Sequence, residues 1–101
     1  MAEASVVRLP AAAEAAFELL RRRFIAGLPA RWEEIEHAAS VPGRQAALHR
    51  LAGAAGSFGL APIGEAARRA ERLLAAGDAA GLAAALDALK LGLEGHCATL
   101  R

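Results

Sequence analysis

The chain has 101 residues, a formal net charge of +1 and one cysteine. That length holds a single domain and excludes a nucleotide-binding catalytic unit alongside a second function, while the near-neutral balance gives no reason to expect nucleic acid or an anionic membrane as partner. Cys97 alone cannot form an internal disulfide and suits a reducing, cytoplasmic setting.

Hydrophobic residues make up 55% of the chain but aromatics only 4%, and alanine prevails. Alanine is the best helix former and lets helices approach closely, so the composition points to an all-α bundle. Met1 to Pro10 lacks a basic start followed by a long apolar stretch and does not read as a signal peptide. No apolar run approaches the roughly 20 residues that span a bilayer.

In chain order, Pro10 fits the first turn of a helix along which Ala13, Phe17, Leu20 and Phe24 recur at helical spacing until Gly27. Its Arg21, Arg22 and Arg23 form a charged face expected to pair with Glu14 and Glu18. Leu28, Trp32, Ile35 and Ala39 make a second stripe with Pro29 in its first turn, and the cluster Ser40 to Gly43 reads as the loop that ends it. A third helix runs from about Arg44 to Phe58, with Gly59 free to take the left-handed conformation that stops it. Pro62 opens a fourth, in which Ile63, Ala66, Ala70 and Leu73 face inward and Glu65, Arg68, Arg69 and Arg72 outward. Gly77 closes it and Asp78 caps the fifth, where Leu82, Leu86, Leu89 and Leu93 form a narrow leucine seam. Short connections make sequential helices antiparallel. The expected fold is an up-down four-helix bundle of residues 28–39, 44–58, 61–76 and 79 to about 97. The helix of residues 10–26 packs across one end or extends the first. All 101 residues belong to one domain, expected to be a monomer.

The third helix carries the residue that points to chemistry. Leu48, Leu51, Ala55 and Phe58 share a face that can be buried, and His49 lies beside that stripe. Around it stand Gln45, Ala46, Ala52, Gly53 and Gly56, so little bulk surrounds the imidazole. Another protein's backbone could approach such a platform closely. Small residues serve close helix packing equally well, and both uses of Gly53 and Gly56 stay open. His37, among Glu33, Glu34 and Glu36, reads as a solvated surface residue. His96 and Cys97 are adjacent but have too few neighbouring ligands for a metal site.

His49, Leu51, Gly53, Ala54, Ala55, Phe58 and Gly59 follow in order a pattern of His-x-Leu-Lys-Gly, small residues, an apolar residue and Gly. In this the chain resembles the histidine-containing phosphotransfer (HPt) domains. The likeness continues through Ile63, Ala66, Ala67 and Ala70-Glu71, and upstream through Phe24-Ile25 and Leu28 to Trp32. The resemblance implies that His49 accepts a phosphoryl group on Nε2 and exchanges it with an aspartate of a response-regulator receiver domain, or takes it from a hybrid histidine kinase. It also implies that the Mg²⁺ required sits on the receiver, this chain binding no cofactor or metal of its own.

Two positions depart from or refine the pattern. Sensor kinases place an acidic residue directly after their histidine, and Arg50 stands there instead. With no Gly-rich ATP-binding segment, that argues against autokinase activity, so the protein is expected to be a carrier and not an enzyme. Ala52 replaces the family's usual lysine. Candidates to supply the missing charge are Arg50, Arg44 and Gln45 on the same helix, Arg68 or Arg69 on the next, or the partner itself. The competing reading is a helical interaction protein that binds a receiver or kinase without being phosphorylated, and Ala52 is its best support.

Overall fold

The computed structural model describes residues 11–97, which form five helices and, within that span, no strand. They are α1 (Ala11–Ala26), α2 (Leu28–Glu36), α3 (Val41–Ser57), α4 (Ala61–Ala76) and α5 (Ala79–Glu94). Each helix packs chiefly on its neighbours in sequence, and α3 with α4 makes the most extensive pair. The expectations for Met1 to Pro10 lie outside the described residues.

Gly27 stays in the right-handed helical region, and hydrogen bonds run through it from Gly27 N–H to the Arg23 carbonyl and from Arg31 N–H to the Gly27 carbonyl. Pro29, which has no N–H to give, marks the break. Helix α1 therefore extends α2. Of its apolar stripe only Phe24 is buried, whereas Phe17 and Leu20 remain 42% and 49% exposed, because little of the protein covers the N-terminal part of α1. Its anchor is aromatic: the Phe17 and Phe24 rings lie 5.8 and 5.0 Å from that of Phe58. Of the arginine run, Arg22 pairs with Glu18 as expected, while Arg21 instead donates to the Phe58 carbonyl at 3.2 Å.

The α2 to α3 connection differs from the expected loop. Ser40 accepts a hydrogen bond from Gly43 N–H at 3.1 Å, so Ser40 is the N-cap and Pro42 and Gly43 belong to the first turn of α3. Helix α2 stops at Glu36, short of Ala39, and Arg44 donates to the carbonyls of Ile35 and Glu36, both at 3.0 Å. That guanidinium satisfies the acceptors another helical turn would have used.

The turn that ends α3 and the bounds of α4 match the sequence, while α5 stops at Glu94, short of the expected 97, where Gly95 caps it and donates to the Leu91 carbonyl. Gly59 and Gly77 adopt φ of 73° and 72°, the left-handed state that ends α3 and α4. Asp78 caps α5 through Gly81 N–H at 2.9 Å. The core joins Leu28, Trp32 and Ile35 to Leu48, Leu51 and Ala55, to Ile63, Ala67 and Ala70, and to Ala85, Leu89 and Leu93. In the leucine seam Leu89 and Leu93 are fully buried, while Leu82 and Leu86 are half-buried at its margin.

Candidate functional site

One face of α3, through Leu48, Leu51, Ala52 and Ala55, is consumed by the core. His49 follows Leu48 by one residue, about 100° around the helix, and this turns its side chain outward, 78% exposed. A rigid helical backbone thus fixes where the imidazole sits without burying it.

Helix α4 comes unusually close to this face. A Cβ added to Gly64 would lie 3.2 Å from the Ala52 carbonyl oxygen and 3.7 Å from the Gly56 nitrogen. Only glycine permits so near an approach without displacing backbone. Above this crossing the helices border an open groove of about 430 Å³. Gln45, His49, Ala52 and Gly53 line it from α3, and Arg68, Glu71, Arg72 and Ala75 from α4. Both sets recur at intervals of three and four, so each is one stripe of its helix.

Within the groove, His49 Nδ1 lies 3.2 Å from Glu71 Oε2. An ionised carboxylate only accepts, so in this hydrogen bond Nδ1 carries the proton and donates it. In the neutral form of the ring this leaves the lone pair on Nε2, so the pairing selects the tautomer as well as the ring's orientation. Glu71 is 24% exposed, far more sheltered than its partner.

The other candidate residues separate into two groups. Gln45, Ala52, Gly53 and Arg68 share the groove with His49. Ala52 is 3% exposed and lies at the groove's floor. Nothing lies within 4 Å of a Cβ added to Gly53, leaving an open approach beside the ring, whereas a Cβ added to Gly56 would lie 3.8 Å from Arg68 Nη2, so the Arg68 guanidinium rests over Gly56. Arg50 is drawn away to Glu34 on α2, and Arg44 is committed to the end of α2. Arg69 lines an adjoining groove with Glu65, Ala66, Arg68 and Arg72 and not the one that holds His49. His37, close to Glu36, and His96 are both exposed and belong to no such arrangement.

A model of the Hpt domain family matches residues 19–99. The chain belongs to the Hpt domain family. No curated protein and no solved structure matches it. Hpt domains are phosphocarriers rather than catalysts, acting by histidine phosphotransfer in two-component signalling with receiver domains and histidine kinases. Among the described residues no helix is long and apolar enough to cross a membrane, and no group of three or more His, Cys, Asp or Glu side chains is placed to hold a metal ion.

Sequence reasoning on this Hpt domain overlooked Glu71, Arg72 and Ala75 as groove residues. A signal for them exists. His49 and Glu71 stand at equal sequence distances on either side of Leu60, as do Gln45 and Ala75, and Gly56 and Gly64. In an antiparallel helix pair folded about the turn at Gly59 and Leu60, such positions meet.

Proposed function

We propose that this Hpt domain carries a phosphoryl group on His49 Nε2 and exchanges it with the aspartate of a response-regulator receiver domain, without autokinase activity. The observation that carries this reading is the hydrogen bond between His49 Nδ1 and Glu71 in an open groove. It leaves the Nε2 lone pair free on a ring that is 78% exposed.

In the forward step Nε2 attacks the phosphorus of the aspartyl phosphate in line with the bond that breaks. The N–P bond forms, the P–O bond breaks, and its electron pair leaves with the aspartate carboxylate. The ring gains one positive charge while retaining its Nδ1 proton, and Glu71 faces that charge. The return step reverses each of these changes. Mg²⁺ belongs to the receiver's acidic site and neutralises phosphate oxygens there; this chain supplies the aimed nucleophile and the open approach over Gly53. Arg50, already paired with Glu34, offers no base beside the histidine, in keeping with a carrier and not a kinase. The protein acts as a monomer in the cytoplasm.

Ala52 in place of lysine favours the second reading, a domain that binds a receiver or kinase without taking phosphate. Incubation with a phosphorylated receiver and Mg²⁺ separates the two. Phosphotransfer yields an acid-labile, base-stable phosphoryl group that His49→Gln abolishes and that His37→Gln and His96→Gln leave intact. Labelling that survives His49→Gln would refute the assignment, and tight binding with no labelling selects the interaction reading.

A further inference from the structure

We infer that Arg68 and Arg72 form the cationic cradle for the phosphoryl group on His49, a role the likeness to other HPt domains would give to a lysine at position 52. The inference rests on the phosphotransfer reading above and deepens it.

Position 52 cannot supply the charge. Its side chain ends at Cβ on the floor of the groove, and its carbonyl is pressed against Gly64. Two other arginines on α3 are already engaged, Arg50 with Glu34 and Arg44 with the last carbonyls of α2. Arg68 and Arg72 differ from both. They are exposed, line the His49 groove, and among the described residues neither enters an ion pair or hydrogen bond.

Their spacing on α4 fits the task. Arg68 and Arg72 are one helical turn apart, and Glu71 shares their stripe. The acid thus meets Nδ1 while the two cations flank it. The Arg68 guanidinium rests over Gly56, with Nη2 3.8 Å from where a Cβ there would lie, so to serve the phosphoryl group its long, flexible side chain swings along the groove toward His49, where its planar fork of donors matches phosphate oxygens. A phosphoryl group brings up to about two negative charges. Two arginines match them, as Glu71 matches the charge on the ring. The close crossing at Gly64 makes this possible by bringing α4 near enough for its side chains to serve a histidine on α3.

The test uses potassium phosphoramidate, a small donor that requires no docked protein and releases ammonia as the N–P bond to His49 forms. Labelling rates are compared for wild type, Arg68→Ala, Arg72→Ala, the double alanine variant and the double lysine variant. Arg22→Ala, on α1, controls for net charge. Receiver-driven transfer is measured in parallel. Each alanine change should slow phosphoramidate labelling by about fivefold, the effect of a partly exposed charge contact. The double variant should lose more, the lysine variant should recover much of the rate, and Arg22→Ala should match wild type. Wild-type labelling in the double alanine variant would overturn the cradle. So would a loss equalled by Arg22→Ala, or a loss confined to receiver-driven transfer, which would make the arginines docking residues. A wild-type protein labelled by neither donor would overturn the phosphotransfer reading itself, and the cradle with it.

Discussion

Removing the carboxylate at position 71 probes both tautomer and charge. Glu71→Gln keeps an oxygen that can accept from Nδ1 but removes the negative charge; Glu71→Ala removes both. Two unit charges about 4 Å apart attract by roughly 1 kcal/mol in water and roughly 4 kcal/mol at the lower effective dielectric of a protein surface. With Nδ1 and Oε2 3.2 Å apart and the imidazole 78% exposed, the lower figure applies. About 1 kcal/mol corresponds to roughly fivefold in an equilibrium. Because phosphorylation on Nε2 of the neutral ring adds a positive charge that Glu71 faces, Glu71→Gln should shift the balance between phosphohistidine and receiver aspartyl phosphate about fivefold toward the receiver. Glu71→Ala should shift it at least as far and also release the ring to sample both tautomers. The equilibrium is read by titrating receiver against labelled protein, and the tautomer by nitrogen NMR of the imidazole. If Glu71→Ala leaves both readouts at wild-type values, the hydrogen bond has no part in directing the nucleophile and the argument from it fails.

Two further predictions concern the frame that holds the site. Gly64→Val would press Cβ against the Ala52 carbonyl and should cost about 1–3 kcal/mol by overpacking, whereas Gly53→Ala meets nothing and should gain up to about 1 kcal/mol from helix propensity. Denaturant unfolding checks the pair, and the reverse order would refute the close crossing. Leu89→Ala should destabilise by about 2–5 kcal/mol because Leu89 is fully buried. Leu86→Ala should cost less, and equal losses would contradict the placement of Leu86 at the margin.

The helices were legible because the apolar spacing of α3, α4 and α5 survives in the packed structure and because Gly59, Gly77 and Asp78 act locally. The residues from Ser40 to Gly43 suit a loop and a capped first turn equally, so their order alone does not choose the capped turn that forms. What decides between them is Arg44 reaching back to α2, a tertiary contact. The stripe on α1 promised burial that only Phe24 achieves, since periodicity reports which residues share a face and not whether anything lies opposite. At the site, His49 could be found from its small neighbours. Glu71 and Arg72 carry no such signal on their own helix, because their relation to His49 depends on how closely two helices cross.

The pairing across Leu60 has a consequence for how this sequence can change. From His49 to Gly56 and from Gly64 to Glu71 the chain is unbroken helix of equal length, anchored where the two glycines meet. The chemistry is therefore stored partly as a count. Substitutions on the outer faces of these stretches leave the count intact. A single residue inserted into either one would rotate everything beyond it by about 100° and advance it by about 1.5 Å. Glu71 would leave the imidazole, with every functional side chain still present in the sequence. Tolerance to replacement and intolerance to insertion should thus coexist along the same two segments.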